Sequence, residues 1–218
     1  MKKTIFITGA TSGIGKATAE IFAKQGHRLI ICGRRKEVLD NLQIQLSNFT
    51  DVYSLVFDVR NQQEVQNAIN SLPEDWKNID VLVNNAGNAH GLEPISDANI
   101  SDWDAMMDGN VKGLLYVSQP IIKLMKANNS GHIVNISSVA ARQTYANGTV
   151  YCASKKAVDV ISEGMRLELT EFGIKVTNVQ PGAVETDFSK IRFKGDEERA
   201  TTVYAGYEPL IAEDIADA

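Results

Sequence analysis

The sequence predicts an α/β fold with a doubly wound parallel sheet, and three observations carry that prediction. Short β-branched runs alternate with longer stretches of helical period along the whole chain. Several runs, such as Leu29-Ile30-Ile31-Cys32 and Val81-Leu82-Val83, are continuously apolar. That marks strands covered on both faces rather than one. The first run leads into a glycine-rich turn that opens a helix. Right-handed crossovers between such strands wind helices onto both faces of the sheet. No internal repeat or Pro/Gly/Ser-rich linker interrupts the 218 residues, so residues 1–218 read as a single domain.

The elements follow in order. Residues 4–8 (TIFIT) are a strand. Residues 13–25 place Ile14, Ala17, Ile21 and Phe22 on one helical face, and Gly26 ends the helix. Residues 29–32 are the second strand and 36–47 the second helix. A strand over 52–57 and a helix over 61–71 follow, closed by Pro73. Residues 81–83 are a buried strand. Residues 102–127 form a long helical stretch, with a bend expected near Gly109 or Pro120. The last repeats are a strand over 133–136, a helix over 149–172 and a strand over 174–179.

Composition excludes several classes. Hydrophobic residues make up 44% and charged residues 22%, which suits a globular protein and not a disordered one. No apolar run approaches the roughly 18 residues of a membrane span. A net charge of −5 offers no basic field for nucleic acid. Cys32 and Cys152 stand far apart with no CxxC partner, which argues against disulfides and metal and for reduced thiols in a cytoplasmic protein. His27, His90 and His132 show no ligand spacing. The apolar stretch after Lys2-Lys3 ends at Thr8-Gly9, short of the roughly 7–15 apolar residues of a signal peptide.

Ligands of such sheets bind beyond the carboxyl ends of the strands, so the loops there carry the function. The first reads Thr8-Gly9-Ala10-Thr11-Ser12-Gly13-Ile14-Gly15, the strand–turn–helix context of a dinucleotide-binding Rossmann fold. Gly9 suits the tight turn, Gly13 the approach of backbone to a pyrophosphate, and Gly15 close packing of helix on strand. The helix N-terminus supplies N–H groups and a positive dipole end. The second strand ends in Cys32-Gly33-Arg34-Arg35, where an NAD enzyme would carry an Asp or Glu. Two guanidinium groups suit a 2′-phosphate, so NADP is the predicted cofactor. Asp58, followed by Val59, accepts the adenine amino group or caps the next helix; the residues leave both open. Asn84-Asn85-Ala86-Gly87 ends the fourth strand with small residues against which a ribose or ring can lie.

Tyr151 and Lys155 lie four apart on a helix, so both project from one face. An ammonium beside a phenol favours the phenolate and lowers a pKa that starts near 10. Taken together, TGxxxGxG (Thr8, Gly9, Gly13, Gly15), NNAG (Asn84–Gly87), Asn110 within a helix, Ser138 at a strand end, YxxxK (Tyr151, Lys155) and Pro181-Gly182 resemble the short-chain dehydrogenase/reductase family. The resemblance covers essentially the whole chain. It implies that Tyr151 is the general acid or base, and that Lys155 binds the nicotinamide ribose and holds the phenol's pKa down. Ser138 would steady the substrate oxygen, with Ser137 its rival, and Asn110 would link Lys155 to solvent through water. It extends cofactor contact to Gly9, Thr11, Ser12, Gly13, Ile14, Gly15, Arg34, Arg35, Asp58, Val59, Asn85, Ala86, Gly87, Pro181, Gly182, Val184 and Thr186. A homotetramer is also implied.

Cys32–Arg35, Phe57–Asn61 and the stretch from Val184 through Asp196 resemble the NADP-dependent 3-hydroxy acid dehydrogenase branch, which acts on serine and allo-threonine. That implies hydride transfer between NADP and the 3-hydroxyl, or a semialdehyde, of a small acid. The alternatives are a broad carbonyl or sepiapterin-type reductase, and a non-catalytic NADP sensor. A small anion calls for a cation near Tyr151. Arg192 and Lys194, in a substrate loop over about 183–210, and Arg142 are the candidates; Gln143 and Tyr145 are expected to line the pocket. After Val179 the family's sheet receives one more helix and strand. Residues 213–218 read as the start of that helix, so the chain is expected to end before both are complete.

Overall fold

The computed structural model describes residues 2–206 and 208–218. Six strands form one parallel sheet in the order β3-β2-β1-β4-β5-β6. They are β1 (Thr4–Ile7), β2 (Arg28–Gly33), β3 (Val52–Val56), β4 (Val81–Asn84), β5 (Gly131–Ile136) and β6 (Ile174–Val179). Ile7 of β1 pairs with Ile31 of β2 on one side and Val83 of β4 on the other. The strand order reverses between β1 and β4, and the loops after these strands open beside one another there, the usual ligand crevice of such sheets.

Strand alternation sorts the core into two layers. Phe6, Ile30, Leu82 and Ile133 point to one face, against Val117, Ile121 and Met125 of α5 (Gly113–Ala127) and Val158 of α6 (Thr149–Leu169). Ile5, Ile7, Leu29, Ile31 and Val83 point to the other, against Ala19 and Ala23 of α1 (Gly13–Lys24) and Leu39 and Leu42 of α2 (Lys36–Leu46). Each fully buried side chain of this size contributes about 1.5–3 kcal/mol. The third crossover helix is α3 (Gln62–Asn70).

The long helical stretch divides as the Gly109 expectation required. α4 (Ile100–Met107) passes through a π-helical turn, Asp108–Lys112, into α5. Pro120 lies inside α5 without interrupting it. The wide turn sits where Asn88 crosses the helix: a Cβ on Gly109 would stand 2.7 Å from Asn88 Nδ2. Such turns recur at functional sites. Helix α6 ends at Leu169, and the expected last turn over 170–172 is a 3₁₀ turn that Gly173 closes at φ +65°.

The substrate-loop region holds elements too short for periodicity to reveal. They are β7 (Val184–Glu185), α7 (Phe188–Arg192), α8 (Glu197–Thr202) and β8 (Leu210–Ile211), with β7 and β8 paired in parallel. The expected helical start at the end of the chain is α9 (Ala212–Asp217), which packs against α1.

Candidate active site

The loop after β1 is clamped onto the loop after β4. Thr8 Oγ1 accepts from the backbone N–H groups of Asn85 and Ala86, both at 3.0 Å, and donates to Val83 O at 3.3 Å. Asn85 Nδ2 donates to Thr8 O at 2.9 Å and Gly9 O at 3.2 Å. Gly9 has φ +65°, and a Cβ there would stand 2.9 Å from Asn85 Nδ2. At Gly15 a Cβ would collide with Asn85 Nδ2, just past the end of β4, and with the Gly9 carbonyl oxygen, so the glycine lets the start of α1 pack closely on the loops that leave β1 and β4. Gly13, at φ +50°, lies under the methyl group of Thr186. Ser12 occupies the N-cap of α1 but makes no side-chain cap bond. The first-turn N–H groups remain available to an anion, beside Thr11 and Ile14 in the wall of the cleft.

Asn84 is not a turn residue but the buried end of β4. Its Nδ2 donates to Ser118 Oγ at 2.8 Å and Asn135 Oδ1 at 2.9 Å, and Asn135 Nδ2 donates to Ser162 Oγ at 2.9 Å. This buried chain ties α5, β4, β5 and α6 together directly beneath the cleft.

At the end of β2 the two arginines separate. Arg35 folds back, its Nη2 donating to Thr11 Oγ1 at 2.9 Å and Thr11 O at 3.2 Å. Arg34 is exposed and stands 3.5 Å from Asp58 Oδ2. Asp58 does not cap α3; Asn61 does, accepting from Gln63 N and Glu64 N. Partial burial pulls the Asp58 carboxyl upward, but hydrogen bonds and charge from Arg60 outweigh it and hold the group below its ordinary value. Val59 packs close to Gly113 at the start of α5.

Tyr151, Lys155 and Ser138 converge at the ends of α6 and β5. Ser138 Oγ accepts from Ala140 N at 3.1 Å and lies close enough to the Tyr151 phenol to favour its charged form. Both serines line the cleft, and Ser137 donates to the Lys155 carbonyl oxygen at 2.9 Å. Lys155 Nζ donates to Ile136 O at 3.0 Å and lies 6.0 Å from the centroid of the Tyr151 ring. Burial dominates both groups. It raises the Tyr151 phenol to about 12, against the lowering influences of Ser138 and Arg192, and lowers Lys155 to about 8. The expected depression of the phenol by Lys155 is absent here: the lowering comes from Ser138 and Arg192, and burial outweighs it.

Asn110 lies on the π turn. Its Nδ2 donates to Asn88 O at 2.8 Å and Ser154 Oγ at 2.9 Å, and its Oδ1 accepts from Asn88 N at 2.7 Å. These contacts hold the Asn88 loop to α6. Gly87 lets the two approach: a Cβ there would be 3.1 Å from Asn110 Oδ1 and 3.3 Å from Lys155 Nζ.

Of the three candidate cations only Arg192 enters the cleft. Its Nε donates to Gly91 O at 3.1 Å, and Gly91 N donates to Arg192 O at 2.9 Å. Its guanidinium carbon lies 5.7 Å from the Tyr151 ring and 5.5 Å from the Tyr145 ring, and its Nη2 is buried with no hydrogen-bond partner among the described residues. Lys194 pairs with Asp102 at 2.9 Å, and Arg142 is an exposed residue outside the cleft wall. Gln143 lines the cleft, and Pro181 O accepts from Val139 N at 3.0 Å beside Gly182 and Val184.

The cleft, about 1070 Å³, brings nearly all these residues together. Asn110 and Gly15 stand behind its wall. Sequence reasoning missed Asn88, His90, Phe188 and Tyr204, which also line it. Phe188 meets Tyr151 edge-on at 5.7 Å, and Tyr204 Oη donates to Val184 O at 3.0 Å. Among the described residues no His/Cys/Asp/Glu cluster could hold a metal, and no helix is long and apolar enough to cross a membrane.

The chain is similar in sequence and fold to known proteins. The NADP-dependent 3-hydroxy acid dehydrogenase YdfG of Escherichia coli O6:H1 is 42% identical over 215 residues, covering 98% of this chain and 86% of the relative. Sulfoacetaldehyde reductase 2 of Chromohalobacter salexigens is 40% identical over 218 residues, covering 100% and 86%. The closed form of serine dehydrogenase complexed with NADP+ superposes with a TM-score of 0.94 at 41% identity, covering 98% of this chain and 86% of that one. The short chain dehydrogenase model matches residues 3–197. With Tyr151, Lys155 and Ser138 gathered beyond a six-stranded parallel sheet, this chain belongs to the short-chain dehydrogenase family and is an oxidoreductase.

Proposed function

We propose that the chain is an NADP-dependent dehydrogenase of small 3-hydroxy acids, interconverting the 3-hydroxyl with the corresponding carbonyl. Serine, allo-threonine, 3-hydroxypropionate and semialdehydes are the substrate class. The observation that carries this reading is Arg192, a guanidinium beside Tyr151 with a buried Nη2 that has no hydrogen-bond partner among the described residues. A buried unsatisfied donor costs about 1–3 kcal/mol, and a substrate carboxylate removes that cost.

The residues present fit the cofactor. The glycines let the loop close tightly, since a Cβ at Gly9 or Gly15 would collide with Asn85 Nδ2; the α1 N-terminus opens on the cleft without a side-chain cap, and Arg34 and Arg35 supply charge for a 2′-phosphate. Thr11, Ser12, Gly13, Ile14, Asp58, Val59, Asn85, Ala86, Gly87, Pro181, Gly182, Val184 and Thr186 complete its surroundings. NADP, when bound, gives or takes the hydride. The Tyr151 phenol donates its proton to the substrate oxygen in reduction, becoming the phenolate, and in oxidation the phenolate takes the proton of the substrate hydroxyl. Ser138 holds that oxygen as charge develops. Lys155 supplies a positive charge beneath the phenol. Asn110 acts through others, fixing the Asn88 loop against α6.

Two measurements test this reading. NADP reduction with L-serine, L-allo-threonine and 3-hydroxypropionate should exceed that with neutral alcohols. Arg192→Gln should lower kcat/KM for the acids about 10–100-fold, the loss of one charge-assisted hydrogen bond, and leave neutral alcohols unchanged. An equal loss for both classes would remove the carboxylate from the proposal. The serine assignment has its own check. Ser138→Ala should lower kcat strongly, whereas Ser137→Ala should cost about 1 kcal/mol of stability with kcat nearly intact. The opposite ordering would reassign the role.

A further inference from the structure

The corner of the cleft between β2 and β3 holds three guanidinium groups and one carboxylate. Arg60 closes on Asp58 through Nε, at 3.1 Å and 3.0 Å from the two carboxylate oxygens, and through Nη2, 2.6 Å from Oδ2. The Arg60 backbone N–H adds a bond to Oδ1 at 3.0 Å. Arg34 Nη1 reaches the same Oδ2 only at 3.5 Å, and its side chain is 63% exposed. Arg35 is held on Thr11. Asp108, on the π turn, adds its negative charge to the surroundings of Arg60 and is itself paired with Lys112 at 2.7 Å. Glu64 is engaged by Asp58 N at 3.0 Å and Asn61 Nδ2 at 2.8 Å.

A half-buried carboxylate takes the nearest available cation. Without Arg60 that cation is Arg34, already within 3.5 Å. We propose that Arg60 is a positioning residue for cofactor selection: by taking the short hydrogen bonds of Asp58 it leaves Arg34 only a 3.5 Å ion pair there, from which a 2′-phosphate can draw the guanidinium. Arg60 thus shapes the discrimination between NADP and NAD without touching the phosphate. The proposal rests on the reading of Arg34 as a 2′-phosphate ligand.

Calorimetry on the whole chain, with 2′,5′-ADP and 5′-AMP as probes, tests it without turnover. The quantity read is the ratio of the two dissociation constants, which cancels losses common to both ligands. Arg60→Gln should lower the preference for 2′,5′-ADP about 5–10-fold, the scale of one partly exposed ion pair redirected. Adding Asp58→Asn to Arg60→Gln should restore the preference to within about twofold of the parent, because Arg34 is released again. An unchanged ratio in Arg60→Gln overturns the proposal in favour of a structural role. A ratio that stays low in the double variant overturns it in favour of direct phosphate contact by Arg60. Arg34→Gln separates the two levels. If it leaves the ratio intact, the reading of Arg34 fails and the proposal with it. If it lowers the ratio while Arg60→Gln does not, only the proposal fails.

Discussion

Tyr151→Phe should lower kcat by about 10²–10⁴-fold in either direction, with little change in cofactor affinity. The substitution removes one oxygen from a ring that is otherwise packed against Phe188 at 5.7 Å and covered by Arg192. The apolar contacts survive, so the fold and cleft survive with them. What disappears is the phenolic hydroxyl, which supplies the proton at the substrate oxygen and lies near Ser138. Stability gives a second readout with a defined sign. The folded phenol sits near 12 and the unfolded one near 10, so the unfolded chain releases its proton first. Parent stability therefore falls as pH rises from about 10 to about 12, and Tyr151→Phe lacks that component. A variant retaining more than a tenth of parental kcat would take the proton-transfer role from Tyr151.

Lys155→Met should remove activity and stabilise the protein. The ammonium is almost fully buried, with Ile136 O as its hydrogen-bond acceptor, and burial lowers its pKa from 10.5 to about 8. The unfolded chain therefore binds more protons than the folded one between pH 8 and pH 10.5. Stability conferred by neutral Lys155 is present above about pH 10.5 and is lost as pH falls through about 8. At pH 7 the parent bears the full penalty. Methionine has a similar length and no charge to desolvate, so the variant should gain about 2 kcal/mol there after the lost hydrogen bond is counted. For a chain of this size that is a rise in Tm of about 4–8 °C. The gain should shrink towards zero above pH 10.5, while kcat stays about 10²–10⁴-fold below the parent throughout. A Tm that does not rise at pH 7 would show that Lys155 is not a destabilised group. The same desolvation that makes the site reactive makes it costly to fold, the usual trade between activity and stability.

The covered strands and their crossover helices were legible because burial on both faces imposes local composition. Leu29-Ile30-Ile31-Cys32 is apolar at every step because helices cover both sides of β2. The irregularity at Gly109, a π-helical turn, was legible because a residue without a Cβ marks a close crossing. The phosphate loop and the Tyr151–Lys155 pair were legible because their function depends on spacing within one turn or one helix. β7, α7, α8 and β8 were not, because elements of two to six residues carry too few positions for a period.

What the sequence by itself determined is the parallel sheet, the order of its crossovers and the residue types at each strand end. Only the tertiary structure decided which of those residues face the same space. Arg142, Arg192 and Lys194 are equal as cations in the sequence. Folding pairs Lys194 with Asp102, leaves Arg142 outside the cleft, and ties Arg192 to Gly91 beside Tyr151. Tyr151 and Lys155 likewise share a helix face in the sequence, yet their proton affinities are set by how deeply neighbouring elements bury them. Charge and spacing are local properties of a chain, whereas desolvation and long-range pairing exist only once distant segments pack.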